Sequence, residues 1–397
     1  MMRIDAAMAR EAKAMTTREV IVKAIEGKLS WVQAADILGY TPRHMLRLKT
    51  RWLRQGYDGI RDQRGSTPRR RRIPLATIQR LCTLKRRQYP DFSIQHFWER
   101  ATEQHGFTLS YNWTRLVLQA AGLAERAPAR GQYRRKRERR PLVGMLVHLD
   151  ASTHRWLPGV PRQDLVVALD DADGRILDAR FVPEEGTAST FASLHAVLTH
   201  SGRFAELYTD RGSHFGRTSV AGTAPDAEQH GHVSRALATL GIRQIFARSP
   251  EARGRSERAF GTIQGRLPQE LRVAKIRTYA AANAYLRDRF VPDFNRRFTV
   301  KPAQTESAFV PLRGLALRLV LSSQHPRQVQ NDHTVHFAGR LLQLPRSSVR
   351  PHFVRCRVLV HEFPDTTLGI SFQGQLLATY SRDGELLTPA AAGGRAA

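Results

Sequence analysis

From Pro141 onward the apolar residues gather into short runs, two of which close on a single acid, and this change of pattern constrains the fold more than any other feature. "PLVGMLVHLD" is almost continuously apolar and ends at Asp150, as a central strand covered on both faces would be. "DLVVALDDADGRILDARFV" reads as two strands about a turn carrying Asp171, Asp173 and Gly174, hence a hairpin. "TASTFASLHAVLTH" has helical spacing from Thr187, and "AELYTD" is a strand closing on Asp210. A helix ("SRALATLG"), a strand ("RQIFA") and a helix opening after Ser249-Pro250 complete the series.

Three strands, helix, strand, helix, strand, helix is the succession of a ribonuclease-H-like fold, expected over residues 141–300. Residues 301–324 read as a connector. Short alternating strands in "HTVHFAGRLLQL" and "RCRVLVHEF" through "LLATY" suggest a small β-barrel over 325–382, followed by a disordered tail, 383–397.

The amino-terminal third is helical. "TTRE" at Thr16 and "SWVQ" at Ser30 fit capping boxes, and Thr41-Pro42 opens a third helix. On that helix Arg43, Arg47, Arg51 and Arg54 form one stripe, and Met45, Leu48 and Trp52 form the opposite one. With a turn at Gly39-Tyr40 this predicts a helix-turn-helix DNA-binding domain over 1–63, the third helix meeting phosphates or base edges. A solvated basic helix in a bundle is the plainer alternative. Residues 64–74, with Arg69, Arg70, Arg71 and Arg72, read as a basic linker. Residues 75–125 read as a second helical, helix-turn-helix-like unit whose last helix runs from Ser110 to Gly122. Residues 126–140, with Arg134, Arg135, Lys136 and Arg137, read as a second basic linker.

The chain of 397 residues carries a net charge of +28, and residues 1–140 hold 31 Lys and Arg against 12 Asp and Glu. An excess concentrated at one end points to a polyanion, duplex DNA above all, gripped by the amino-terminal part. No apolar run approaches the ~20 residues of a membrane span, and the amino terminus lacks a signal-peptide pattern, so a cytosolic setting and no membrane partner are expected. Cys82 and Cys356 read as small core residues rather than as a disulfide or zinc framework.

Asp150 and Asp210 end two strands, and Glu257 lies in the first turns of the helix after Ser249-Pro250. In an open sheet such positions converge at one edge. Three acids that close repel one another unless cations sit among them. Their hard oxygens suit Mg²⁺ or Mn²⁺, and two such ions about 3.5 to 4 Å apart serve phosphoryl transfer. Each acid also has a plainer reading, as a strand-end turn former, as a partner of Arg211, or as a partner of Arg253. Asp170, Asp171 and Asp173 read as solvated acids of a hairpin turn. His148 and His154 flank the first acid as orienting or structural residues, and His230 and His232 lie in a Gly-rich insertion with weak support for zinc. Arg253, Arg255 and Arg258 surround Glu257 and are candidates for holding phosphates.

"HLDASTHRW" at 148–156, "LYTDRGSHF" at 207–215 and "RALATLGIRQIFARSPEARGRSERAFGTIQGRLPQEL" at 235–271 carry a family resemblance. In these stretches the chain resembles DDE transposases of bacterial insertion sequences, most closely the ISNCY type, whose catalytic core is related to that of retroviral integrases. Ser249-Pro250, Gly254-Arg255 and Glu257-Arg258 fall where the family pattern has them, and the likeness extends to "FNRRFTVKPA" behind the core. Ser256, Gly265, Ala151 and the segment "ESAFVPL" at 306–312 depart from it. The resemblance implies that Asp150, Asp210 and Glu257 are a metal-binding catalytic triad for two Mg²⁺ or Mn²⁺ ions. It further implies binding of terminal inverted repeats, strand cleavage and strand transfer, a homo-oligomer on DNA, and a bacterial, nucleoid-associated cytoplasmic setting. Two rivals remain: a domesticated or inactive transposase that binds DNA without cutting, and a ribonuclease-H-like nuclease acting on RNA in hybrids.

Overall fold

The computed structural model describes residues 16–60, 73–125, 138–210, 215, 231–247, 254–312 and 314–389. Arg69 to Arg72, Arg134 to Arg137, Arg211, His230 and Arg253 lie outside the described residues. The chain divides into two compact units, residues 1–79 and 80–397.

In the first unit, helix α1 covers 16–25, α2 Trp31–Leu38 and α3 Pro42–Gln55. At α2 and α3 the caps are those the sequence predicts. Gln33 N donates to Ser30 Oγ at 3.1 Å while Ser30 N donates to Gln33 Oε1 at 2.9 Å, and His44 N donates to Thr41 Oγ1 at 3.3 Å. Gly39 ends α2 in the left-handed region at φ 65°, where a side chain would be strained. Val20, Ile21, Ala24, Ala34, Ala35, Met45, Leu48 and Ile60 form the core.

In the second unit, α4 (Leu75–Arg87, which begins before the division), α5 (Ile94–His105) and α6 (Tyr111–Ala120) enclose Leu81, Tyr89, Phe92, Phe97, Ala101, Phe107 and Leu118. Buried Lys85 is satisfied by three carbonyls, those of Tyr89 at 2.8 Å, Pro90 at 3.0 Å and Phe92 at 2.6 Å.

Next comes a five-stranded sheet of order β3-β2-β1-β4-β5. Its strands are β1 (Leu146–His154), β2 (Gln163–Asp170), β3 (Ile176–Val182), β4 (Glu206–Thr209) and β5 (Arg243–Phe246). β1, β2 and β3 run antiparallel in sequence, and β4 and β5 extend the sheet in parallel from β1. Helices α7 (Thr187–Ser201) and α8 (His232–Leu240) supply Phe191, Leu194, Val197, Leu198, Val233, Ala236, Leu237 and Leu240 to one core. The other face carries α9 (Gly254–Gln264), α10 (Leu267–Val273), α11 (Tyr279–Tyr285) and α12 (Val291–Phe298), the last two joined by a π turn over Leu286–Phe290. Ala282, Leu286, Phe290 and Phe294 recur at every fourth residue. In a regular helix that spacing drifts by about 40° per step. The wider π turn returns the stripe to the sheet.

β3 is the outer strand of this sheet, and two asparagines stand in for the absent neighbour. Asn295 accepts from Ile176 N at 2.7 Å and donates to Ile176 O at 2.9 Å, and Asn283 does the same at Phe181 (2.7 and 3.1 Å).

Ion pairs hold the α4–α6 group against α10–α12. Arg266 meets Glu99 at 2.6 Å, Arg272 meets Asp91 at 2.6 Å, and Arg297 meets Glu103 at 2.5 Å and Glu99 at 3.2 Å. At its centre buried Glu270 takes His96 Nε2 at 2.9 Å, the Tyr285 hydroxyl at 2.7 Å and the Arg100 guanidinium.

The carboxyl-terminal part corrects the barrel expectation. After the short helix α13 (Leu317–Val320), strands β6 (Ser323–Gln328), β9 (Arg357–Glu362), β10 (Leu368–Phe372), β11 (Gln375–Tyr380) and β12 (Leu386–Pro389) form an open sheet of order β12-β11-β10-β9-β6. Among the described residues β7 (Thr334–Phe337) and β8 (Arg340–Gln343) form a separate two-stranded sheet. Closure would need β6 to bond β12, and Pro326, which has no N–H to donate, suits β6 to an edge. β12 falls within the stretch 383–397 expected to be a disordered tail. No helix among the described residues is long and apolar enough to cross a membrane.

Candidate active site

Alternation along the strands decides which side chains meet. Val147 and Leu149 of β1, with Leu207 of β4, sit in the core beneath α7 and α8. His148 and Ser152 therefore face the other way. The ring of His148 lies 5.1 Å from that of Tyr208, and Ser152 Oγ accepts from Gln264 Nε2 of α9 at 2.8 Å. Asp150 lies between them on the face toward α9. The parallel register pairs Leu146 with Glu206, Val147 with Leu207 and His148 with Tyr208; Asp150 is two residues farther along β1, and Asp210 is the first residue after β4.

Asp150 is 9% exposed, and its Oδ1 accepts from Ala151 N at 2.9 Å. Asp210 follows the last residue of β4 and is half-buried. Glu257 lies in the first turn of α9, which packs against β1, and is exposed. The fold thus puts the two aspartates on or just after neighbouring strands and Glu257 on the helix packed against β1. Among the described residues no three His, Cys, Asp or Glu side chains are close enough together to hold a metal ion. In donor chemistry the acids suit a hard cation, since all three offer carboxylate oxygens.

Beside β1 the hairpin acids correct the sequence reading. Asp170, Asp171 and Asp173 are buried, at 1%, 0% and 0% exposure, not solvated. Chain arriving from elsewhere covers the turn and supplies donors. Asp170 accepts from Gly144 N at 2.7 Å and Ala172 N at 2.8 Å, and Asp173 pairs with Arg175 at 2.5 Å. Asp171 accepts from Arg140 N at 2.8 Å, meets His148 Nε2 at 2.7 Å and ion-pairs with Arg255 Nε at 2.8 Å. Burial pushes the Asp171 carboxyl up, but His148, the Arg140 amide and the Arg255 charge outweigh it and hold it well below the usual range. Burial raises Asp170.

The expected phosphate-holding arginines divide. Arg258 is exposed on α9, whereas Arg255 is taken up by Asp171. Both line a cavity of about 190 Å³ with Arg139, His148, Phe294 and Phe298. In the first unit Arg43, Arg47, Arg51 and Arg54 are all exposed, opposite buried Met45 and Leu48. His154 packs on Trp156, with ring centroids 5.0 Å apart. His232 Nδ1 accepts from Gln324 N at 3.3 Å, a structural contact in place of the zinc role.

The core is a mixed α/β scaffold in which Asp210 directly follows β4, whereas Asp150, expected to end its strand, lies within β1 because the pairing with β2 continues to His154. No family model matches the chain. It is 32% identical over 364 residues to y4bF of Sinorhizobium fredii (strain NBRC 101917 / NGR234), named as a transposase, covering 90% of this chain and 79% of that relative. It is 24% identical over 376 residues to the transposase for insertion sequence IS1202 of Streptococcus pneumoniae, covering 86% of this chain and 80% of the relative. The chain belongs to the transposases of insertion sequences. A solved structure of the HTLV-2 integrase catalytic core domain in complex with magnesium matches at 15% identity and a TM-score of 0.30, covering 41% of this chain and 94% of that chain.

Proposed function

We propose that the chain is a DDE transposase with a ribonuclease-H-like core, which cuts DNA at the terminal inverted repeats of its element and joins the freed ends to target DNA. The observation that supports the reading best is the parallel pairing of β1 with β4 up to His148 and Tyr208, each two residues before an acid, with α9 packed on β1. Asp150, Asp210 and Glu257 would hold Mg²⁺ or Mn²⁺. Two such ions, when bound, supply Lewis acidity at the phosphate and favour deprotonation of the attacking hydroxyl or water. The chain's own groups position the DNA. The exposed arginines of α3, in a helix-turn-helix, and Arg258 beside Glu257 meet phosphates. The α4–α6 group adds a second DNA-contacting surface, and the active form is a homo-oligomer that holds two ends together. No Ser or Tyr nucleophile is required, because the attacking group is water or a 3′ hydroxyl.

The experiment uses duplexes bearing the flanks of the coding DNA. Cleavage and strand joining are measured with Mg²⁺, comparing wild type with Asp210→Asn. Activity in the wild type alone supports the reading. Specific binding without cutting by either protein, in Mg²⁺ or Mn²⁺, would favour a DNA-binding protein, and a preference for RNA in hybrids would favour a nuclease.

A further inference from the structure

Asp171 is a fully buried carboxylate with partners on three separate pieces of chain. His148, on β1, is two residues before Asp150, and Arg255, on α9, is two residues before Glu257. Arg140 N belongs to the segment that enters β1, and Arg139 Nη1 donates to the backbone carbonyl of Asp171 at 3.0 Å. Two residues along a strand return a side chain to the same face, so the His148 contact fixes the strand face that carries Asp150. Farther along α9, anchoring comes from buried Ser256, Phe260 and Ile263 and from the Gln264 contact to Ser152. Those lie toward the carboxyl-terminal end of the helix, except Ser256, which makes the Arg255 ion pair the charged tether of the turn that bears Glu257.

We infer that Asp171 is a positioning residue of the strand-cutting site: its carboxylate ties β1 to the first turn of α9 and so sets Glu257 relative to Asp150. The inference rests on the DDE reading above. It assigns Asp171 no contact with substrate or metal. A carboxylate suits the task because its oxygens bond Arg140 N and His148 Nε2 while its charge pairs with Arg255, and an ion pair with one fully buried partner is screened less than one at the surface. An amide of the same shape loses the charge and one acceptor.

The full chain is tested as Asp171→Asn, with Asp173→Asn as control, since Asp173 is equally buried in the same turn but pairs with Arg175. The second test variant is Arg255→Gln, which leaves the bonds of Asp171 to His148 and Arg140 in place. Hydrogen exchange over residues 254–264 is read first, with α7 as internal reference. Amides of α9 are expected to exchange at least tenfold faster in both test variants, with α7 and the Asp173→Asn protein near wild type. The Mg²⁺ concentration for half-maximal cleavage is expected to rise at least tenfold, with the KM for DNA unchanged. The inference is overturned by α9 exchange within twofold of wild type. General loosening that includes α7, or a loosened α9 with wild-type Mg²⁺ dependence, would overturn it equally. If the wild type cuts no duplex, the DDE reading fails by itself, and the α9 exchange still decides whether the tether exists.

Discussion

His148 and Tyr208 pair across the parallel strands β1 and β4, and each stands two residues before an acid, Asp150 within β1 and Asp210 directly after β4. Neighbouring strands lie about 4.8 Å apart, so if the two carboxylates meet beyond that pair, as the DDE reading has them, they repel in the absence of a cation. Divalent metal that binds the folded chain must stabilise it by mass action, about 2.7 kcal/mol at a hundredfold excess over Kd. We therefore expect Mg²⁺ or Mn²⁺ to raise the melting temperature of the wild type, and Asp150→Asn or Asp210→Asn to abolish the rise. Thermal melts across a metal titration check this. An equal rise in the variants would move the cation elsewhere.

The Glu270 cluster gives the protein an acid limit. Burial would raise Glu270, but the His96 hydrogen bond, the Arg100 charge and the Tyr285 hydroxyl bring it down to about 2. Its unfolded value is about 4.3. A depressed carboxylate contributes stability that is complete above the unfolded value and is lost as pH falls toward the folded one. Burial, despite Glu270, lowers His96 from 6.5, so the unfolded chain takes up that proton first and stability also declines as pH falls through 6.5. Both act in one direction. Melting temperature should fall from pH 7 to pH 4, and Glu270→Gln, which leaves Arg100 without its carboxylate, should cost roughly 3–5 kcal/mol at neutral pH. The variant's curve should also be flatter on the acid side. Parallel curves for the two proteins would contradict the assignment.

The sequence was legible where the signal is local. A run of apolar residues ending in one acid marks a buried strand, which is why β1 and β4 could be read without coordinates; it marks the exit only for β4, since β1 continues past Asp150 to His154. Ser30 and Thr41 were legible as caps for the same reason, since a cap and its amide are three residues apart. Burial of Asp170, Asp171 and Asp173 was not legible. An acid in a turn beside Gly174 looks solvated until residues 139–144 are seen to cover it. Glu270 in "LPQEL" reads as an ordinary helical acid, and its partner His96 lies 174 positions away. The only hint was in "DLVVALDD", where a strand with no polar interior position runs straight into acids. Barrel closure failed for a similar reason, because it turns on whether two distant edges, β6 and β12, meet.

Asn283 and Asn295 cap the outer edge of β3 by bonding both backbone groups of Phe181 and Ile176. An edge left open is a template for wrong pairing. Asn295→Ala leaves an N–H and a C=O without partners in a half-buried place, and each buried group left so costs about 1–3 kcal/mol. Asn295→Asp keeps the acceptor but turns a negative oxygen on the Ile176 carbonyl, and it should cost more than alanine. Urea unfolding should show lower midpoints in that order with an unchanged m value. An aspartate variant as stable as wild type would mean that the bracket contributes little.

The two faces of α3 should separate cleanly under substitution. Arg43, Arg47, Arg51 and Arg54 are exposed, while Met45 and Leu48 are buried against α1 and α2. If the arginines meet phosphates, each contact releases a condensed counterion. Removing one arginine should then lower the slope of log K against log salt by about 0.9. Affinity would fall on all duplexes alike, and melting would stay within about 0.5 kcal/mol of wild type, as for other surface changes. Leu48→Ala should behave oppositely, costing about 2–5 kcal/mol and weakening DNA binding only through loss of the fold. Binding isotherms at several salt concentrations, on flank and unrelated duplexes, distinguish the cases. An arginine whose removal affects only the flank duplex, with the slope intact, reads bases and does not grip phosphate.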